Sequence, residues 1–233
     1  MFFSAIYHIL KPKLFLLFIG FISLFILFPQ IDIVVSKVFF IKSEFIGWSW
    51  YIKGFNGILI KIIIFLLIIA SIYNVIMSYY QKNIIKHISY IFVLLVGMHL
   101  LVVHSLAKNF FGRPRPQQII EFGGKNTFSP AFYISNQCKT NCSFVSGDTS
   151  IAFTLFGICI AMPLTNFITR KRKSIILDCT FLIGIIMSLC RVSLGRHFLS
   201  DVFWSMFITI IAAFYFYRLI FGAILYKDLE NNL

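Results

Sequence analysis

Charge is scarce in this chain. Asp, Glu, Lys and Arg make up 12% of its 233 residues, and only 8 acidic groups stand against 21 Lys and Arg. A soluble domain of this size needs far more polar surface, so that class is excluded. There is no internal repeat and no low-complexity linker, which argues for one domain over residues 1–233, with a motif-bearing core at 88–222. The apolar runs lack the alternation of period two that a membrane barrel requires. No aromatic-basic nucleic-acid motif accompanies the net charge of +13, so the positive excess points to anionic membrane lipid and away from nucleic acid. No small-x-small cleavage site follows the first apolar segment, where Phe28-Pro29-Gln30 is a poor candidate, and a retained helix is expected there.

What is present is grease: 59% of residues are hydrophobic, 29 of them Phe. Six stretches, near 14–28, 57–79, 88–107, 149–168, 174–190 and 202–226, are read as membrane helices. The fold class expected is all-α, a polytopic bundle of six transmembrane helices. An even number of spans puts both termini on one side. The densest basic run, Arg170-Lys171-Arg172-Lys173, lies on that side and marks it as cytoplasmic by density of positive charge. Cys138 and Cys142 then fall on the opposite side, where a disulfide can form in an oxidising compartment; two free thiols are the alternative. That loop offers too few ligands for zinc, and neither a metal nor a cofactor is expected. Residues 29–56 mix Trp48, Trp50 and Tyr51 with basic residues, which suits either a segment lying in the membrane interface or a cap over a site.

Charge near lipid is expensive, so clusters at the edges of apolar segments need a reason. Three occur, all on the non-cytoplasmic side of this topology. Lys108, Arg113 and Arg115 form the first, with Gly112, Pro114 and Pro116 ending the helix and fixing the backbone. Arginine presents a planar fork that matches two phosphate oxygens, although a basic patch for lipid headgroups reads the same way. The second cluster is Ser146-Gly147-Asp148 at a helix start, where free amides and the dipole suit a phosphate oxygen; ordinary capping is the alternative. The third is Arg191, Arg196, His197 and Asp201. If the last helix extends back to His197, then His197 and Asp201 share a face, and the carboxylate fixes one imidazole nitrogen while the other attacks.

These residues resemble the type 2 phosphatidic acid phosphatases (PAP2), whose fold is shared with vanadium haloperoxidases. The family pattern is Lys-x6-Arg-Pro, then Pro-Ser-Gly-His, then Ser-Arg-x5-His-x3-Asp. Lys108 with Arg115-Pro116 matches the first, Ser146-Gly147 the middle of the second, and Arg191, His197 and Asp201 the third. Val145 stands where the family has Pro, Cys190 where it has Ser, and Asp148 where it has the His that helps as proton donor. A carboxyl among several cations favours its ionised form and is a poor acid at neutral pH, so Asp148 is shielded, or positions His197 or Arg115, or faces a leaving group that needs little protonation. The Cys-x3-Cys-Ser-Phe-Val-x-Gly-Asp stretch and Phe-Gly-Arg-Pro-Arg-Pro look most similar to the lipid A phosphatase branch, closest to the 4′-phosphatases of Gram-negative bacteria.

The resemblance implies a metal-independent lipid phosphatase of the inner membrane with a periplasmic site. His197 would form a phosphohistidine stabilised by Asp201, with Asp148 as the third catalytic group. Lys108, Arg115, Arg191, Ser146 and Gly147 would bind the phosphate. Arg113 and Arg196 would be outer helpers for a second phosphate or a sugar. The partners are lipid A or a phospholipid as substrate and the surrounding membrane lipids; no protein partner is implied. Undecaprenyl diphosphate or phosphatidylglycerol phosphate is the alternative substrate. A non-catalytic lipid-binding or transport protein with a relic site is the alternative class.

Overall fold

A computed structural model describes residue 20 and residues 23–97 and 108–222 of the chain. Within these the protein is mostly helical. Helix α1 (Gln30–Val38) leads into a short antiparallel hairpin, β1 (Phe40–Ile41) and β2 (Glu44–Phe45), with Phe40 opposite Phe45. Then follow α2 (Trp50–Tyr80), α3 (Ile84–Phe92), α4 (Lys108–Phe111), α5 (Gly147–Ile160), α6 (Arg170–Ser193) and α7 (Leu199–Phe221).

Three of these, α2, α6 and α7, are long and apolar enough to cross a membrane. They expose Phe65, Ile68, Leu182, Tyr215 and Leu219, an outward apolar surface that water would penalise and lipid would not. At 31 residues α2 is about 46 Å long, more than a hydrocarbon core of roughly 30 Å, so its ends reach the interfaces.

The expected six spans are met only in part. The stretch expected at 149–168 is helical only to Ile160, as α5, after which the chain turns through Pro163. At 14 residues α5 is about 21 Å long, too short to cross the hydrocarbon by itself. It does not need to, because it is buried on nearly every side by α2, α6 and α7. A helix apolar all round looks the same in sequence whether lipid or protein surrounds it. The stretch expected at 88–107 starts earlier, at Ile84, and is followed to Gly97; 98–107 lie outside the described residues. Most of the stretch expected at 14–28, and the end of the one at 202–226, lie outside them too.

Close packing around α5 depends on small residues. A Cβ on Gly184 of α6 would stand 2.6 Å from the Phe153 ring, and one on Gly157 would stand 3.0 Å from Ala213 Cβ on α7. Tyr90 of α3 reaches both helices with one hydroxyl, at 2.9 Å from the Gly157 carbonyl and 3.1 Å from that of Ala213. The basic run at the start of α6 also has local work: Lys173 Nζ donates to the Met162 carbonyl at 2.7 Å and Arg172 Nη1 to that of Phe167 at 2.7 Å, satisfying the turn that follows α5.

At the opposite end of the bundle, the N-termini of α5 and α7 and the C-terminus of α6 come together. The irregular segment 112–146 and α1 with its hairpin cover them. The segment at 29–56, read from sequence as either an interfacial strip or a cap, packs against this end. Phe45 lies against Gly195, and Trp48 Nε1 donates to the Leu194 carbonyl at 3.0 Å, while Trp50 and Tyr51 stay exposed.

Candidate active site

Helix α4 stops at Phe111 because Gly112 adopts a left-handed conformation (φ +55°), and two prolines after it hold the chain extended. A Cβ on Gly112 would collide with the Ser135 carbonyl, so this crossing needs glycine. The Ser143 amide donates to the Arg113 carbonyl at 2.9 Å, which lays the Arg113–Arg115 strip beside the residues leading into α5. The Gln117 amide donates to the Gly195 carbonyl at 3.1 Å and ties the same strip to the turn between α6 and α7. Three segments far apart in sequence thereby meet.

His197 sits in that turn, one residue before the N-cap of α7, and is 1% exposed. Its Nδ1 lies 2.6 Å from the Ser143 carbonyl, which can only accept, so Nδ1 carries the proton and Nε2 keeps its lone pair. Burial pushes the imidazole pKa down to about 4; Asp201 pulls it back up, and Arg191 and Arg115 reinforce the fall. The ring is therefore neutral at pH 7, with an unprotonated Nε2 whose lone pair is chemically able to act as a nucleophile.

Asp201 is not on a common helix face with His197, as the four-residue spacing suggests. Its Oδ2 stands 3.8 Å from Nδ1, an ion-pair distance and too long for a hydrogen bond. Its oxygens are taken by others: Oδ1 by Arg113 Nη1 at 2.5 Å, Oδ2 by the Ser143 hydroxyl at 2.5 Å and the Phe198 amide at 2.8 Å. Asp201 therefore acts on the imidazole through space and by fixing Ser143, whose carbonyl holds the ring directly.

Arg113 is also corrected. Its guanidinium is fully buried, and each of its three nitrogens has a protein acceptor: Nε the Ser129 carbonyl at 2.7 Å, Nη1 Asp201 and the Ser200 hydroxyl, Nη2 the Asp32 carboxylate at 2.8 Å. Phe198 stacks on it at 4.3 Å. An arginine so enclosed is a strut of the fold and has nothing to offer a second phosphate. Burial alone would ease its proton off; Asp201 and Asp32 outweigh that and raise its pKa. Asp32, in turn, is pushed up by burial against the pull of Arg113.

Arg115 and Arg191 are the cations that face the imidazole. Arg115 donates through Nη2 to the Asn141 carbonyl at 2.8 Å, and Arg191 pairs through Nη1 with Asp148 at 2.8 Å. The Nε of each is buried and has no hydrogen-bond partner among the described residues. Burial, then the neighbouring Arg196 and Arg191, push the Arg115 pKa down to about 10, the mark of cations crowded without enough anion. Arg196 is half-buried and in no ion pair among the described residues. Ser146 is buried at the N-cap of α5, accepting from Thr149 Oγ1 at 3.0 Å, with Gly147 as the first helical residue. The side chain of Lys108 lies outside the described ones; its backbone opens α4. Such a ring of donors around a neutral imidazole suits a tetrahedral oxyanion such as phosphate.

The PAP2 superfamily pattern matches residues 86–224. The chain belongs to the PAP2 superfamily. A protein named lipid A 4′-phosphatase, from Francisella tularensis subsp. novicida (strain U112), is 34% identical to this PAP2 chain over 209 residues, covering 84% of it and 89% of the relative. Proteins of the same name from Rhizobium etli (30% over 200 residues, 78% and 76%) and Rhizobium leguminosarum (36% over 109 residues, 47% and 44%) also match. No solved structure matches. The family and branch read from the motifs are thus the ones these relatives carry.

Four residues around this PAP2 site escaped the sequence reading: Asp32, Asn141, Ser143 and Ser200. Asp32 had a usable signal, being one of only 8 acids and set in the apolar run Ile31-Asp32-Ile33. Asn141 and Ser143 contribute backbone carbonyls, and no side-chain pattern announces those. Cys138 and Cys142, left open as bridged or free, are joined.

Proposed function

We propose that this protein is a lipid phosphatase of the cytoplasmic membrane that removes the 4′-phosphate of lipid A at a site facing the periplasm, with both termini in the cytoplasm. The observation that carries the reading is the His197 ring, neutral and tethered through Nδ1, beside two arginines whose Nε groups are buried without a partner among the described residues. The names of the relatives support the substrate.

In this reading His197 Nε2 attacks phosphorus and the bond to the sugar oxygen breaks, giving a phosphohistidine. Lys108, Arg115 and Arg191 hold the equatorial oxygens with Ser146 and the Gly147 amide, each donor contributing about 3 kcal/mol in the transition state. The imidazolium formed by the attack is stabilised by Asp201 at 3.8 Å and by the Ser143 carbonyl. The sugar oxygen collects a proton from Asp148 or from water. Water then attacks phosphorus, His197 leaves, and inorganic phosphate departs.

A second reading rests on the Arg191–Asp148 ion pair. With its Oδ2 engaged by Arg191, Asp148 is occupied as a counterion, which suits a leaving group that needs no proton, such as the undecaprenyl phosphate expelled when the terminal phosphorus of undecaprenyl diphosphate is attacked. Mass spectrometry of membrane lipids from cells with and without the protein distinguishes the two. Lipid A should lose one phosphoryl group, from the distal sugar on fragmentation, and His197→Ala should abolish that loss while the protein still folds. Unchanged activity in His197→Ala ends the proposal.

A further inference from the structure

The carbonyls that hold Arg115 and His197 come from one short stretch of chain with no regular secondary structure. The Asn141 carbonyl accepts from Arg115 Nη2 at 2.8 Å, and the Ser143 carbonyl from His197 Nδ1 at 2.6 Å. A disulfide between Cys138 and Cys142 closes a ring around Asn141, which is held in a left-handed conformation (φ +53°), and Ser143 follows directly. The ring is anchored at its start, where the Cys138 amide donates to the Gly112 carbonyl at 3.1 Å, and just beyond its end, where the Ser143 amide donates to that of Arg113 at 2.9 Å. The covalent ring, the cationic strip and the imidazole thus form one connected unit.

We propose that the Cys138–Cys142 disulfide is a positioning element of the active site: by fixing the Asn141 and Ser143 carbonyls it sets the guanidinium of Arg115 and the tautomer and angle of His197, so that reducing it slows turnover without unfolding the helices. The inference rests on the reading of His197 as the nucleophile. Lys139, Thr140 and Asn141 are exposed and Cys142 is fully buried, so a dithiol enters at the half-buried Cys138 sulfur. Two such exchanges with one dithiol supply two electrons and two protons: the protein gains two thiols and the dithiol becomes its cyclic disulfide. Asn141 can then relax to an ordinary backbone conformation, withdrawing its carbonyl from Arg115 and loosening Ser143. Outside the ring, α5, α6 and α7 keep their packing, which does not pass through these cysteines.

The test uses the full chain, purified oxidised in detergent, with bisphosphorylated lipid A as substrate and dithiothreitol as reductant. Alkylation of the unfolded protein, read by mass, counts the thiols independently of activity. Reduction should lower kcat roughly 10- to 100-fold, the scale of a misplacement of about 1 Å at the reacting atoms, with helical circular dichroism unchanged and activity restored on reoxidation. Combined Cys138→Ser and Cys142→Ser substitution should give the same slow rate and no response to dithiothreitol. In an Arg115→Ala background, reduction should cost less than in the parent, because one of the two carbonyls no longer has a partner to lose.

If the oxidised protein does not turn over any lipid phosphate, the functional reading falls and takes this inference with it. If it does, and the fully reduced, folded protein works within twofold of it, only the positioning role is overturned. Loss of helical signal on reduction overturns it as well, since the disulfide would then hold the fold and not the site. Should the double variant fail to fold, the reductant arm on the parent protein decides alone.

Discussion

Replacing Arg113 with Met tests the buried charge network under the site. Arg113 is 0% exposed, and the carboxylates of Asp32 (1% exposed) and Asp201 (0%) converge on it at 2.8 and 2.5 Å. The three together carry one net negative charge, offset by the Ser200 amide and hydroxyl on Asp32 and by Ser143 and the Phe198 amide on Asp201. Met fills much of the volume, so little of the loss is packing. What remains is two buried carboxylates facing each other with no cation, and uncompensated charge of that kind costs about 3–5 kcal/mol. For a chain of this size that corresponds to a fall in melting temperature of roughly 10 °C.

The pH dependence makes the test specific. Asp32 is already pushed up by burial, with Arg113 as its strongest opposing influence and Asp201 adding to the rise. Without Arg113 its folded-state pKa climbs further above the unfolded value of about 3.8. A carboxyl with a raised folded pKa favours the fold while both states are protonated, and that benefit is lost as pH rises through the folded pKa. The deficit of Arg113→Met against the parent should therefore widen as pH is raised across the range in which the protein folds, and narrow as pH is lowered. Thermal unfolding of both proteins in detergent across that range reads it. A deficit under 1 kcal/mol, or one that does not change with pH, refutes the assignment of Arg113 as the buried counterion.

Nitrogen NMR of labelled imidazole, taken in difference against His197→Ala, should place the His197 pKa near 4 in the free protein, below the usual 6.5. The same depression makes His197 a stability group whose favourable share is present above pH 6.5 and lost as pH falls toward 4. A pKa of 6.5 or above contradicts the buried, carbonyl-tethered ring. Arg115→Lys keeps the charge and loses the fork that holds the Asn141 carbonyl and, in the proposed mechanism, a phosphate oxygen; kcat/KM for lipid A should drop roughly 10²-fold, and a drop under threefold shows that Arg115 acts only as a point charge. Gly184→Val pushes a side chain into the Phe153 ring, 2.6 Å from where its Cβ would stand, and should destabilise the fold by about 1–3 kcal/mol in thermal unfolding. A neutral result there means that α6 can shift away from α5 freely.

The motif spacings singled out His197, Arg115, Arg191 and Ser146 as candidates, and the fold brings them to one end of the bundle; the motifs could be read because His and Arg are distinctive chemistry in a chain that has little of it. The same scarcity would have exposed Asp32, had its isolation in an apolar run been weighed. Helix boundaries were less legible. The apolar run after Thr149 extends past Ile160, so hydropathy alone did not mark where α5 ends; the readable stop signal was Pro163, just beyond it. The motif spacing set Arg115 apart from Arg113, yet gave Arg113 the wrong surroundings: the two are close neighbours in one basic strip, and only the fold sends Arg113 inward to two carboxylates and Arg115 to the Asn141 carbonyl.

By itself, then, the sequence determined a helical protein suited to lipid, its family, and the residue types of a phosphate site, because hydropathy and side-chain chemistry are local properties. The partner of each charge was left to the tertiary structure. That the imidazole leans on a serine carbonyl and that Asp148 occupies Arg191 depend on contacts between residues distant in sequence, and Asp201 stands back at 3.8 Å from a ring four residues away because Arg113 and Ser143, themselves distant in sequence, hold its oxygens. Backbone carbonyls are identical at every position in the chain, so which of them becomes a partner of the His197 ring is settled only by where folding puts it.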